Sequence, residues 1–289
     1  MPWKRLIRYT SAKDGNVRYG EPIVNDKDDI DALAQSGSLK VKILEGPTAV
    51  LAKPTGEEDE VKTLLSPLTS AEVPFVRCLG LNYKEHILET GFDLPENPTI
   101  FIKSPECVAD TRAPTPIHKI AQKTCDYEGE LTIVIGRDAL NVSPESALDY
   151  VAGYVAGNDV SCRDWQMEKS KAGMMPQWCY SKSFDRYAPL GPAIVSAEIL
   201  GDAKGLELVT RVNGEERQRA NTSDLCFGVR EIVSFCSTGQ TLKAGSLIMT
   251  GTPGGVGIGF KPPKYLQDGD EVSVEISGIG KVVTTMKFE

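Results

Sequence analysis

The chain has 289 residues, of which 40% are hydrophobic and 25% carry a charge, a composition that excludes an intrinsically disordered protein. Its formal net charge of -8 excludes non-specific binding to nucleic acid, because phosphate contacts need a surplus of Lys and Arg. No apolar run reaches the roughly 18 residues that span a bilayer, so we expect no membrane segment.

The first part of the chain, residues 1–72, is predicted to form a small N-terminal domain. Its three strand-like segments are residues 3–9, 17–19 and 39–44. The turn Asp14-Gly15-Asn16 joins the first two and predicts a β-hairpin. Gly56-Glu57-Glu58-Asp59-Glu60 is predicted to be a charged loop, and Pro74 lies at the junction with a larger domain, residues 73–289.

The first residues and the cysteines both favour a cytoplasmic protein. The basic segment from Met1 to Tyr9 lacks the apolar core of a secretion signal, and a short mitochondrial presequence is the alternative. No two of the seven cysteines stand at C-x-x-C spacing, so we expect reduced and mostly buried thiols.

The larger domain is predicted to be β-rich, because short apolar runs alternate with Gly, Pro and Asn turns. The predicted strands are residues 131–135, 151–156, 208–212, 246–249, 271–276 and 281–288. Asn213-Gly214 predicts a tight hairpin turn, and helices are predicted to start at Ser143-Pro144-Glu145 and to span 227–236. The expected fold class is mainly β with short helices (α+β).

The most informative motif is the acidic segment Asp126-Tyr127-Glu128-Gly129-Glu130. In a strand, alternate side chains share a face, so Asp126, Glu128 and Glu130 are expected to point the same way. Three crowded carboxylates repel one another unless they face water or surround a cation. Their oxygens suit Mg2+, Mn2+ or Ca2+ better than soft metals. A solvated face of an edge strand is the alternative.

A second acidic segment directly follows the strand predicted at 151–156. Asp159 could supply a further metal ligand there, because polar residues after a strand end are well placed to line a site. Arg163 could clamp a carboxylate with two hydrogen bonds. The alternative for Arg163 is a salt bridge with Asp164 or another neighbour.

His86 and Glu89 would be neighbours on a helix that starts near Tyr83. A carboxylate beside an imidazole raises its basicity, which suits a general base, although a surface pair is the commoner arrangement. Lys182 could be a cation for a developing enolate or an ordinary exposed lysine.

The glycine-rich segment Thr250–Gly259 does not have the pattern of a nucleotide-binding loop. It lacks the Gly-Lys-Ser/Thr of a P-loop, and its glycine spacing fails the dinucleotide pattern. Its backbone amides and Thr hydroxyls could cradle a carboxylate instead.

Together and in this order, five motifs resemble the fumarylacetoacetate hydrolase family over residues 65–289. They are Gly80-Leu81-Asn82-Tyr83 with His86, Asp126 to Leu131, Asn158 to Gln166, Lys182-Ser183-Phe184-Asp185, and Thr250 to Gly257.

The resemblance implies the β-rich catalytic domain of that family, a variable leading domain and usually a homodimer. It implies that Glu128, Glu130 and Asp159 hold Mg2+ or Mn2+, with Ca2+ an ion that a crystal could contain instead. The implied catalytic residues are His86 with Glu89, on a lid segment, and Lys182. The implied substrate contacts are Tyr83, Arg163, Gln166, Gly251 and Thr252.

The resemblance implies a small oxo acid as substrate. The first hypothesis is hydrolysis of a carbon-carbon bond in an acylpyruvate or related diketo acid through a metal-stabilised enolate. The second is decarboxylation or keto-enol tautomerisation of a 2-oxo acid such as oxaloacetate at the same site. The third is a non-catalytic relative that only binds a metal or ligand.

Overall fold

β-strands form most of the regular structure, and the helices between them are short. The computed structural model describes residues 1–25, 28–89, 91 and 93–289, except for the side chains of Glu89 and Ala172. The strands are β1 (Arg5–Ser11), β2 (Val17–Pro22), β3 (Lys40–Glu45), β4 (Lys53–Leu65), β5 (Val76–Gly80), β6 (Thr99–Lys103), β7 (Val108–Asp110), β8 (Pro114–Ile117), β9 (Cys125–Asp126), β10 (Gly129–Ile135), β11 (Val151–Asn158), β12 (Ser161–Cys162), β13 (Ala188–Ser196), β14 (Glu207–Val212), β15 (Glu215–Asn221), β16 (Leu247–Met249), β17 (Glu271–Ile276) and β18 (Gly280–Phe288). The α-helices are α1 (Ile30–Gln35), α2 (Lys84–Glu89), α3 (Arg163–Met167), α4 (Lys169–Ala172), α5 (Trp178–Lys182), α6 (Ala197–Leu200) and α7 (Val229–Ser237). The predicted fold class, mainly β with short helices, is confirmed.

One sheet of 11 strands runs through the molecule. Its strand order is β2-β3-β4-β1-β13-β11-β10-β16-β5-β6, and β7 adds to β13. The hairpin predicted around Asp14-Gly15-Asn16 is confirmed by the antiparallel pairing of β1 with β2. β1 also pairs with β13, where Arg5 lies opposite Val195. Backbone hydrogen bonds therefore cross the predicted boundary at residue 72, and the division into domains stays a prediction.

The central strands are buried because hydrophobic cores lie on both faces of the sheet. All seven residues of β10 are buried. Leu131, Ile133 and Ile135 pack into one cluster, whereas Val134 packs into another, as the two-residue period of a strand requires. A five-stranded sheet, in the order β15-β14-β17-β18-β8, packs against β10, β11 and β13. These contacts fix the ends of β10 and β11, where the acidic motifs lie.

The tight hairpin predicted at Asn213-Gly214 is confirmed between β14 and β15. Both residues have a left-handed φ, 51° and 80°, which is typical of the two-residue turn that suits twisted strands. The predicted helix over 227–236 corresponds to α7, and the two final strands correspond to β17 and β18.

Two local predictions are wrong. Gly56 to Glu60 form part of the long strand β4 rather than a loop, because β4 pairs with β3 and β1. Asp59 is buried in that strand and accepts a hydrogen bond from the Tyr9 hydroxyl at 3.1 Å. Ser143 does not cap an α-helix. Its carbonyl accepts a hydrogen bond from the backbone N–H of Ser146 at 3.2 Å, and this tight turn leads into a 3-10 helix, Ala147–Tyr150.

The helices in the described part of the chain are short. The longest of them, α7, has nine residues. Within the described ranges, no helix has the length and apolar character that crossing a membrane requires.

Candidate active site

Three carboxylates meet where two central strands lie side by side. Glu128 stands just before β10, Glu130 is its second residue, and Asp159 directly follows β11. These positions are close because the antiparallel register places Glu130 opposite Gly157. One oxygen from each carboxylate lies within 4.8 Å of the other two, and all three residues are buried. The structure therefore brings the three predicted metal ligands together.

The expectation that Asp126 shares a face with Glu128 and Glu130 is wrong. The alternation of a single strand does not hold, because β9 ends at Asp126 and β10 begins only after Glu128. Asp126 instead binds the glycine-rich loop and the guanidinium of Arg163. Its Oδ1 accepts a hydrogen bond from the Gly257 backbone N–H at 2.7 Å, and its Oδ2 accepts one from Arg163 Nε at 2.8 Å.

Lys182 lies inside the site and is not an exposed surface lysine. Its Nζ is 2.9 Å from Glu128 Oε2, 2.7 Å from Asp159 Oδ2 and 2.6 Å from Ser161 Oγ. Burial alone would lower the pKa of Lys182, but the Asp159 and Glu128 carboxylates outweigh burial and raise that pKa above its ordinary value. Lys182 is therefore a buried, charged group that lies against two carboxylates of the triad.

Arg163 is a second buried cation beside the carboxylates. Its Nη1 donates to Glu128 Oε1 at 2.6 Å and to Gln166 Oε1 at 3.1 Å, in addition to the bond from Nε to Asp126. Burial opposes its charge, yet Asp126 and Glu128 raise the pKa of the guanidinium. Nη2 is buried and has no hydrogen-bond partner among the described residues. The structure thus brings the predicted substrate contacts Arg163 and Gln166 together.

The alternative partner for Arg163, Asp164, is occupied elsewhere. Asp164 accepts hydrogen bonds from Cys162 Sγ at 2.9 Å and Thr124 Oγ1 at 2.8 Å, and it forms an ion pair with Lys171. Burial alone would raise the pKa of Asp164, but these partners lower it to about 2.

Lys103, the last residue of β6, is a third buried cation that sequence reasoning missed. Its Nζ is 2.5 Å from Asp159 Oδ1 and donates to the Tyr187 carbonyl oxygen at 2.6 Å. The side chain is 0% exposed. Nothing in the segment Thr99–Lys103 distinguishes this residue from an exposed lysine at a strand end, because its partners lie far along the chain.

Glu130 is the least compensated of the three carboxylates. Its Oε2 accepts a hydrogen bond from the Gly251 backbone N–H at 2.7 Å, whereas its Oε1 is buried without a hydrogen-bond partner among the described residues. Burial, and then the charges of Asp159 and Glu128, raise the pKa of Glu130 well above its ordinary value.

A divalent cation would remove this electrostatic penalty. A buried carboxylate oxygen without a partner, next to two further carboxylates, is unfavourable unless a cation lies there. Carboxylate oxygens are the ligands that Mg2+ and Mn2+ prefer, and Ca2+ accepts the same donors. The buried acidic triad therefore fits a divalent metal ion.

The glycine-rich loop is tied to the start of β10. Gly251 has a φ of +95°, and a Cβ there would lie 3.0 Å from Asn82 Cβ, so this position requires glycine. Thr252 Oγ1 donates to the Gly129 carbonyl oxygen at 3.0 Å and accepts from Gln218 Nε2 at 2.8 Å. Because the only hydroxyl proton of Thr252 is already donated, its contact with a substrate carboxylate stays a prediction. Gln218, which sequence reasoning missed, anchors this loop.

The predicted helix at the lid segment is present as α2, which begins directly after Tyr83. Tyr83 is 1% exposed, and its hydroxyl has no hydrogen-bond partner among the described residues. Burial, and then the charges of Glu130 and Asp224, raise the pKa of Tyr83 above its ordinary value. His86, the third residue of α2, is half-buried. The side chain of Glu89 lies outside the described residues, and the His86–Glu89 pair stays a prediction.

The fold and the site define a class of protein: a mainly β protein with a buried acidic triad that suits a hard divalent ion. Comparison with known proteins gives the family. A family profile described as fumarylacetoacetate (FAA) hydrolase C-terminal matches residues 75–287. The chain belongs to the fumarylacetoacetate hydrolase family, as the sequence motifs predict.

Two relatives and one solved structure match nearly the whole chain. Oxaloacetate tautomerase fahd2, mitochondrial, of Xenopus laevis is 34% identical, over 96% of this chain and 88% of that protein. Caffeoylpyruvate hydrolase of Neonothopanus nambi is 36% identical, over 99% of this chain and 94% of that protein. The crystal structure of 2-hydroxyhepta-2,4-diene-1,7-dioate isomerase from Mycobacterium marinum is 34% identical with a TM-score of 0.79, covering 99% of each chain. The chain is thus an enzyme of this family.

Proposed function

We propose that this enzyme binds Mg2+ or Mn2+ at Glu128, Glu130 and Asp159 and interconverts the keto and enol forms of a small 2-oxo acid, with oxaloacetate as the first candidate substrate. The observation that carries the proposal is the buried triad, in which Glu130 Oε1 has no partner among the described residues while Lys182 lies beside the other two carboxylates. The name of the Xenopus laevis relative supports oxaloacetate.

The residues around the triad would bind and orient the substrate. When bound, the ion supplies a Lewis acid that polarises the substrate's carbonyl group and lowers the free energy of the enolate. Lys182 stays charged and stabilises the negative charge that develops on the carbonyl oxygen. Nη2 of Arg163, which has no hydrogen-bond partner among the described residues, would bind a carboxylate of the substrate.

His86 would move the proton that tautomerisation requires. Lys182 and Arg163 are held in the charged form by buried carboxylates and are poor bases. An imidazole changes its charge near neutral pH, and α2 places His86 one turn from Tyr83. His86 takes a proton from the carbon beside the carbonyl group, and the carbonyl oxygen gains a proton from solvent. The reverse transfers return the enol to the ketone.

The second candidate is hydrolysis of an acylpyruvate. From the sequence alone this reaction is the first hypothesis, because the predicted His86–Glu89 pair suits the activation of water. The name of the Neonothopanus nambi relative supports this reaction. Here His86 would remove a proton from water, the water oxygen would bond to the distant carbonyl carbon, and the carbon-carbon bond would break to leave a pyruvate enolate. His86 is among the described residues, but the side chain of Glu89 is not, so the pair that favours hydrolysis stays a prediction.

One substrate panel separates these reactions. Oxaloacetate and acetylpyruvate are each supplied with Mg2+, with Mn2+ and with excess chelator, and the enol absorbance, pyruvate, acetate and carbon dioxide are measured. Faster loss of the oxaloacetate enol without carbon dioxide, abolished by chelator, is the result expected for the tautomerase. Acetate and pyruvate from acetylpyruvate would establish the hydrolase, and carbon dioxide from oxaloacetate the decarboxylase. No turnover with any ion would refute the proposal.

We also propose that the protein is a homodimer and that it is located in the cytoplasm. Each chain would divide into two domains, residues 1–72 and 73–289. The dimer rests on the resemblance to the family, and the start of the matched profile at residue 75 supports the division. The Xenopus laevis relative is named as mitochondrial, so mitochondria are the alternative. Light scattering tests the dimer, limited proteolysis tests the division, and imaging of the tagged protein tests the compartment.

A further inference from the structure

We propose that the two buried lysines at Asp159 have different functions. Lys103 is a positioning residue that fixes the Asp159 carboxylate for metal binding, whereas Lys182 is an exchangeable cation that leaves its carboxylate partners when a divalent ion binds. The proposal rests on the metal site of the proposed function and adds a residue that the sequence motifs did not indicate.

The contacts of Lys103 are those of a fixed anchor. Its Nζ bonds Asp159 Oδ1 at 2.5 Å, the Tyr187 carbonyl oxygen at 2.6 Å and the Val160 carbonyl oxygen at 3.5 Å. Two of these three partners are backbone atoms of neighbouring segments, so they cannot rotate away. Because β6 supplies the lysine, this ammonium joins β6 to the segment after β11 and to the residue before β13. It occupies Oδ1 and leaves Oδ2 of Asp159 for another cation.

Lys182, unlike Lys103, has side-chain rather than backbone atoms as its close polar partners. All three of its close polar partners are side-chain oxygens: Glu128 Oε2, Asp159 Oδ2 and Ser161 Oγ. Two of them belong to carboxylates of the triad, so an ammonium and a divalent ion would compete for the same oxygens. Lys182 Nζ already lies 5.2 Å from the centroid of the Phe101 ring, so an ammonium that leaves the carboxylates could keep this cation–π contact.

The two roles predict opposite effects on metal affinity. The loss of a positive charge near a metal site by itself favours metal binding, because the repulsion between like charges disappears. Removing a residue that orients a ligand weakens binding, by roughly 10- to 100-fold for an outer-shell partner of a ligand. Lys182→Met should therefore tighten binding of Mn2+, whereas Lys103→Met should weaken it despite the loss of a positive charge.

The test is Mn2+ binding to chelator-treated protein, measured by electron paramagnetic resonance without any substrate. We expect a dissociation constant roughly 10- to 100-fold higher for Lys103→Met, a lower one for Lys182→Met and an unchanged one for the exposed control Lys204→Met. Circular dichroism and urea denaturation establish that each variant is folded. Equal or tighter binding by folded Lys103→Met would overturn the inference and leave the proposed metal site intact. Absence of Mn2+ binding by the wild-type protein would overturn both.

Crystal structures of the wild-type protein with and without Mn2+ test the same inference if Lys103→Met fails to fold. The expected result is that the Lys103–Asp159 Oδ1 contact is kept in both structures, while the Lys182–Asp159 Oδ2 contact is lost with Mn2+. Retention of the Lys182 contact, or loss of the Lys103 contact, in the Mn2+ structure would overturn the proposed division of roles.

Discussion

Gly251→Ala tests how the glycine-rich loop supports the triad. The Gly251 backbone N–H donates to Glu130 Oε2 at 2.7 Å, and the residue has a φ of +95°. A left-handed backbone costs an alanine about 1–2 kcal/mol, and a Cβ at 3.0 Å from Asn82 Cβ and 3.3 Å from the Leu79 carbonyl oxygen adds about 1–2 kcal/mol of overpacking. We expect the free energy of unfolding, measured in urea with chelator present, to fall by about 2–4 kcal/mol. Mn2+ binding should weaken as well, because the loop must shift away from Glu130.

Gly259→Ala is the matched control in the same loop. A Cβ at Gly259 would meet only Val256 Cγ2, at 4.0 Å, and Gly259 is not among the residues with a left-handed φ. Its free energy of unfolding should change by no more than about 0.5 kcal/mol. If Gly251→Ala and Gly259→Ala lost the same stability and bound Mn2+ equally well, the proposed support of Glu130 by Gly251 would be refuted.

Three further substitutions test separate parts of the site. His86→Ala should lower turnover about 10²- to 10⁴-fold without changing Mn2+ affinity, and unchanged turnover would remove His86 from the mechanism. Asp126→Ala should lower the free energy of unfolding by about 3–5 kcal/mol, because it leaves the Arg163 charge buried without this partner; a loss below about 1 kcal/mol would contradict the ion pair. Hydrogen bonds from Cys162, Lys171 and Thr124 outweigh burial and lower the pKa of Asp164 from 3.8 to about 2. The ionised carboxylate therefore stabilises the fold by about 2–3 kcal/mol above about pH 4, and this stabilisation is lost as the pH falls to about 2. Urea denaturation at a series of pH values should show a shallower acid dependence for Asp164→Asn, and identical pH dependences would contradict this assignment.

The strands of this fold could be predicted where a local pattern decides the structure. β10 is recognisable because Leu131 to Ile135 form a short apolar run, which a strand with a core on each face requires. The hairpin at Asn213-Gly214 is recognisable because few residues adopt two consecutive left-handed conformations.

The prediction for Asp126 is wrong because its position depends on distant pairing. The strand alternation that would align it with Glu128 and Glu130 stops where β9 pairs with β12, and residues 161 and 162 decide that pairing. A pattern within residues 126–130 does not contain this information.

The cations and anchors of the site could be predicted only in part. The resemblance to the family indicated Lys182, but Lys103 lies 56 residues before its partner Asp159 in an ordinary edge strand. Gln218 lies 34 residues before Thr252. Such side chains become recognisable only when the folded sheet brings their segments together, because no local spacing records the contact.

Metal binding and turnover, recorded in the same samples, decide whether the triad holds an ion that the reaction needs. Chelator-treated protein is titrated with Mn2+, and bound Mn2+ and the rate of oxaloacetate enol-keto interconversion are recorded at each step for the wild type and for Glu130→Gln. We expect the wild-type rate to rise in proportion to bound Mn2+, and both quantities to be strongly reduced in Glu130→Gln. A full rate in the presence of chelator, or unchanged binding and turnover in Glu130→Gln, would contradict a reaction that depends on an ion held by the triad.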